Sequence, residues 1–129
     1  EIVEEMGGFL RRRGHDVVTA QNVATAVAAL DAAGPFDTVL TDLRMPGAGG
    51  LDIVQACRLR PRPRPTVVVM SGLAGPRETA AALDAGAAWV LSKPVKPRDL
   101  LTLLAEIEAG RAAERFPHHP HLALGATAA

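Results

Sequence analysis

The chain has 129 residues, 48% of them hydrophobic, and its 14 basic side chains balance 14 acidic ones. That length suits one domain with a continuous core, and the apolar share argues against general disorder. A neutral balance excludes the overall positive field that would hold a nucleic acid by its phosphates, and the longest apolar runs fall far below membrane-spanning length.

Alanine, leucine and valine supply most of the apolar fraction, and the aromatics are only Phe9, Phe36, Trp89 and Phe116. Such a core suits an aliphatic sheet under alanine-rich helices better than an aromatic-lined groove. Cys57 is the single cysteine, which excludes an internal disulfide and fits a reducing compartment. In a helical pattern with Ile53 and Val54 it reads as a small buried side chain. The chain opens with acidic residues and carries no basic-then-apolar signal, so the expectation is a cytoplasmic protein or a soluble piece of a larger one.

In chain order, Ile2, Val3, Met6, Phe9 and Leu10 recur at helical spacing, and Gly14 supplies the stop. Asp16 to Ala20 is a short strand. Asn22 can cap a helix with Val23, Ala26, Val27 and Leu30 inward, ending at Gly34-Pro35. Phe36 to Thr41 predicts a second strand running into Asp42. After the loop Leu43 to Gly50, Leu51, Val54 and Cys57 mark another helix. Arg58, Arg60, Arg62 and Arg64 then alternate with Pro61, Pro63 and Pro65. This run reads first as a stiff solvated loop and second as a partner-docking patch.

Thr66 to Met70 is β-branched and unpunctuated, as in a central strand buried on both faces, and Ser71-Gly72 closes it. An alanine-rich helix over Arg77 to Asp84 stops at Gly86. Trp89 to Ser92 is a short strand, and Leu100, Leu103, Leu104 and Ile107 form a helical stripe after Pro97. From Gly110 the composition changes. Arg111 to Arg115 extends the last helix, and the remainder reads as a disordered or weakly packed tail. His118, His119 and His121 could bind a metal, but Pro120 interrupts them and no carboxylate or cysteine lies close. A surface tail is the preferred reading.

Helix followed by strand–helix alternation implies a doubly wound α/β fold, with a parallel sheet covered on both faces. The first helix begins without a strand before it, so the expectation is a domain over residues 1–109 that lacks its first strand. Residues 110–129 are the helix extension and tail.

Asp42, Ser71 and Lys93 each follow directly on a predicted strand. In open parallel sheets, ligands bind outside those strand ends. Singly each is unremarkable: an aspartate there often caps a turn, a serine before glycine is a turn residue, and a lysine before proline is often exposed. Together, a carboxylate, a hydroxyl and an ammonium group make a coherent phosphoryl site. Asp42 would attack a phosphoryl donor, Lys93 would pair with the carboxylate and later with a phosphoryl oxygen, and Ser71 would donate its hydroxyl.

The stretch Val39-Leu40-Thr41-Asp42-Leu43-Arg44-Met45-Pro46-Gly47 with Gly50-Leu51 resembles the phosphoacceptor region of response-regulator receiver domains. Val68-Val69-Met70-Ser71-Gly72 resembles their strand with the switch hydroxyl, and Gly86-Ala87-Ala88 with Ser92-Lys93-Pro94 resembles their last strand and lysine. Leu10 to Gly14 and Asp16 to Ala20 are similar to that family's first helix and second strand; the likeness covers about residues 1 to 108.

The resemblance implies a five-stranded flavodoxin-like (CheY-like) fold and Mg²⁺-dependent phosphoryl transfer from a histidine kinase or phosphotransfer protein, with slow self-hydrolysis. The protein would be a signalling domain that catalyses its own modification, not a metabolic enzyme. Asp42 takes the phosphoacceptor place, Ser71 that of the switch hydroxyl and Lys93 that of the phosphoryl-contacting lysine. Arg44 would offer its backbone carbonyl to the metal beside Asp42, with Pro46, Gly47, Gly49 and Gly50 shaping the loop.

The family's acidic pair for Mg²⁺ lies at the end of its first strand, upstream of this chain. Glu1, Glu4 and Glu5 belong to the first helix and are not promoted to ligands. With Asp42 as the only carboxylate that would touch the ion, this chain should hold Mg²⁺ weakly or not at all. The family's rotating aromatic is replaced by Val90, with Trp89 one position earlier. Trp89 is either packed under a helix or part of an exposed partner surface.

The expected output is a switched surface formed by the Arg77–Asp84 helix, the Trp89–Ser92 strand and the last helix, including Trp89 and Val90 and serving a homodimer. No direct nucleic-acid or membrane partner is expected. The competing reading keeps the fold without the chemistry, as a phosphorylation-independent interaction or dimerisation module. A flavin-binding alternative is weaker, because the chain has no glycine-rich phosphate loop where such a ligand wants donors.

Overall fold

The computed structural model of the chain describes residues 2–33, 35–43, 49–61, 64–72, 75–113 and 121–125. The elements are α1 (Ile2–Arg12), β1 (Asp16–Ala20), α2 (Val23–Ala33), β2 (Thr38–Asp42), α3 (Gly50–Arg58), β3 (Thr66–Ser71), α4 (Pro76–Ala85), β4 (Trp89–Ser92), α5 (Pro97–Ala113) and β5 (His121–Gly125). The strands form one sheet in the order β1-β5-β2-β3-β4, and every neighbouring pair is parallel. Among the described residues no helix is long and apolar enough to cross a membrane.

Side chains alternate between the two faces of a strand, and that alternation sorts the core here. Val39, Val67 and Val69 pack with Ala26 and Leu30 of α2, Ile53, Val54 and Cys57 of α3, and Ala82 of α4. Leu40, Val68 and Met70 face the other way, toward Leu10 of α1 and Leu100, Leu103 and Leu104 of α5. Leu40, Val68 and Val69 are wholly buried. Each such side chain contributes about 1.5–3 kcal/mol by leaving water, which is why β2 and β3 read as unbroken apolar runs.

Local chemistry sets the element ends. The Asn22 Oδ1 accepts the Thr25 N–H at 2.8 Å, capping α2. The Asp52 carboxylate accepts the Gly49 N–H at 3.1 Å at the start of α3, and Pro76 opens α4 where no helical N–H is needed. Gly86 ends α4 with φ +124, a conformation that L side chains rarely adopt. The second predicted strand is displaced: Phe36 is buried before it, pairing begins where the Asp37 carbonyl accepts the Thr66 N–H at 2.9 Å, and Asp42 becomes the last strand residue.

The expected helix extension is present as far as Ala113, but the tail expectation needs correction. His121–Gly125 is strand β5, lying between β1 and β2. It runs from Asp16↔His121 to Ala20↔Gly125 on one side and from Thr38↔Leu122 to Thr41↔Gly125 on the other. In the flavodoxin-like order that position belongs to the strand that comes first in the chain; here its occupant follows α5. The physical reason is backbone satisfaction. β1 and β2 would otherwise turn unpaired N–H and C=O groups toward one another inside the sheet, and tail composition carries no trace of that demand.

Candidate functional site

Asp42, Ser71 and Lys93 all lie at the carboxyl ends of adjoining strands, and the side chains of Asp42 and Lys93 meet there. Asp42 closes β2 in register with Met70, and the Leu43 N–H donates to the Met70 carbonyl at 2.9 Å, so β2 and β3 stay locked up to the site. Ser71 is level with Ser92, and the Lys93 N–H donates to the Ser71 carbonyl at 2.8 Å. Lys93 thus leaves β4 on a fixed main-chain anchor, before a cis bond to Pro94. Its ammonium pairs with the Asp42 carboxylate.

Asp42 is 3% exposed. Burial pushes its carboxyl above the ordinary value, while the hydrogen bond and charge of Lys93 pull it back. Lys93 therefore keeps a desolvated carboxylate usable as a nucleophile. By strand alternation Ser71 belongs with Val67 and Val69, on the face that α4 covers. Its buried hydroxyl donates to the Glu78 carboxylate of α4 at 3.5 Å. Sequence reading missed Glu78. Its one local signal is its place in the first turn of α4, which favours an acid for dipole reasons alone.

Other expected positions are distributed as follows. Arg44, Pro46 and Gly47 lie outside the described residues. Trp89 is 52% exposed, so it is not packed under a helix, because β4 is the sheet's edge strand. Val90 packs against the α2–α3–α4 side of the core. Glu4 and Glu5 are exposed on α1, and the Thr19 hydroxyl donates to Glu4 at 3.1 Å. Cys57 is buried, and burial pushes its thiol up to about 11, so it is no nucleophile at neutral pH.

The described residues do not fit a Mg²⁺ ion. The strands end at Ala20, Asp42, Ser71, Ser92 and Gly125, and only Asp42 is acidic. Among the described residues no group of three or more His, Cys, Asp or Glu comes together. A hard divalent ion needs several oxygens in near-octahedral array, and the one carboxylate here is already held by an ammonium group.

Fold and site define a doubly wound α/β domain of the CheY-like type, with its polar groups gathered at the carboxyl edge of a parallel sheet. Residues 1–105 match the model of the response regulator receiver domain, and the chain belongs to that family. It is 41% identical over 95 residues to the two-component response regulator ORR2 of Oryza sativa subsp. indica, covering 72% of this chain and 37% of that protein. It is 37% identical over 108 residues to the sensory/regulatory protein RpfC of Xanthomonas campestris, covering 77% of this chain and 14% of that protein. The chain therefore spans well under half the length of both relatives. Among solved structures, a CheY-like receiver domain protein of Methanospirillum hungatei superposes with a TM-score of 0.80 at 27% identity, covering 88% of this chain and 89% of that one. A Burkholderia pseudomallei response regulator, solved with a phosphorylated aspartic acid, calcium ion and citrate, gives 0.69 at 28% identity, covering 89% and 69%.

Proposed function

We propose that this receiver domain takes a phosphoryl group onto Asp42 from the phosphohistidine of a histidine kinase or phosphotransfer protein. The observation that carries the reading is the buried Asp42 carboxylate paired with Lys93 at the sheet edge. One carboxylate oxygen attacks phosphorus, the donor's P–N bond breaks, and an acyl phosphate forms as the imidazole leaves. Lys93 moves its charge from the carboxylate to a phosphoryl oxygen, and the Ser71 hydroxyl donates to another. The phosphorylated aspartate of the Burkholderia pseudomallei relative supports the same chemistry here.

The output is a change in the surface of α4, β4 and α5. Leu83 is 46% exposed and Trp89 is 52% exposed, large apolar side chains suited to a partner or a second copy. The working place of the domain is the cytoplasm, where such kinases hold their donor groups.

Intact-mass measurement of the full-length domain, carrying the family's upstream acidic pair, with Mg²⁺ and acetyl phosphate tests the reading. The parent is expected to gain one hydroxylamine-labile phosphoryl group and Asp42→Asn none. A second reading, a phosphorylation-independent interaction module, draws on the exposed Trp89 and the single acid at the strand ends. A parent that stays unmodified under those conditions would falsify the first reading and favour the second.

A further inference from the structure

We propose that Glu78 is a positioning residue that holds the Ser71 hydroxyl on the α4 side of the sheet, so that a phosphoryl group on Asp42 must draw the hydroxyl away from it. This rests on the phosphoacceptor reading and names a control within that site. Strand alternation turns Ser71 toward the α4 face, and its hydroxyl donates to Glu78 at 3.5 Å. The Ser71 main chain cannot follow a phosphoryl group, because its carbonyl holds the Lys93 N–H at 2.8 Å and β3 is paired on both sides. Only side-chain rotation is left. Glu78 is anchored in the first turn of α4 behind Gly75 and Pro76, where the helix dipole favours its negative charge. A carboxylate is a stronger acceptor than a neutral oxygen, so the hydroxyl is held against the acyl phosphate until phosphoryl oxygens compete for it.

The test is the rate of phosphoryl uptake from acetyl phosphate, read by intact mass on the same full-length domain with its acidic pair and Mg²⁺. In that reaction the Asp42 oxygen bonds to phosphorus and acetate leaves with its own oxygen. Glu78→Ala is expected to speed uptake about five-fold, the scale of one long charge-assisted hydrogen bond. Glu78→Gln, which keeps a weaker acceptor and the side-chain packing, should give a smaller increase. In a Ser71→Ala background, Glu78→Ala should change nothing, since the hydroxyl it acts on is gone. Unchanged uptake in both Glu78 variants overturns the proposal, as does an equal effect in both backgrounds. A parent that is never modified removes the phosphoacceptor reading itself, and this control with it; a modified parent with indifferent Glu78 variants removes only the control.

Discussion

At Asp42, burial and a neighbouring ammonium pull on the same proton in opposite directions, and burial is the larger effect. A carboxyl whose folded value is raised adds stability in acid and loses it as pH climbs through that folded value. The ionised form therefore costs stability at neutral pH. Asp42→Asn removes the cost, and Lys93, partly exposed, can turn its charge to water. The variant should be more stable than the parent by about 1 kcal/mol at pH 7. Thermal denaturation across pH 4 to 7 should show the gain shrinking toward acid; a constant gap would contradict the buried-carboxylate account. Lys93→Met does the reverse. It leaves the carboxylate without its counter-charge and should cost about 2–3 kcal/mol at pH 7, less than for a fully buried pair. Asp42, Ser71 and Lys93 could be picked out because each follows a strand pattern. Glu78 could not, because no sequence period relates it to Ser71.

Elements carry their own tests. Gly86 closes α4 with φ +124, and a Cβ there would also sit 3.4 Å from the Arg58 side chain. Gly86→Ala should cost about 1–3 kcal/mol in chemical denaturation, from backbone strain in a region that non-glycine residues avoid. Leu40, central in β2 and wholly buried against α1 and α5, should cost about 2–5 kcal/mol when cut to alanine. From α1 to α5, helix and strand identities were legible because 3.6-residue and two-residue periods are written locally. Asn22, Gly86 and Pro97 sit at the ends their chemistry predicts. Element limits were less so: β2 begins at Thr38 and not Phe36, because pairing with β3 sets where a strand starts, and β3 is more than twenty residues away in sequence.

For the whole molecule, the decisive feature is β5, the last of the described strands in sequence and an interior strand in the sheet. Ala123 is level with Val18 on one side and Val39 on the other. Ala123→Pro removes a ladder donor from an interior strand, where proline is essentially not tolerated. It should lower the melting temperature by an amount worth about 3 kcal/mol or more. A variant that melts with the parent would show that β1 and β2 do not depend on the tail.

By itself the sequence determined the run of helices and strands as far as α5, the two-faced aliphatic core, and a carboxylate, a hydroxyl and an ammonium group each at the end of a strand. These are matters of spacing and side-chain chemistry, and a chain expresses them over a handful of residues. Only the tertiary structure decided that His121–Gly125 enters the middle of the sheet, that Trp89 stands on an exposed edge, and that Ser71 turns toward Glu78. Those outcomes follow from backbone groups needing partners and from the order in which strands lie side by side, and neither is encoded in any local stretch.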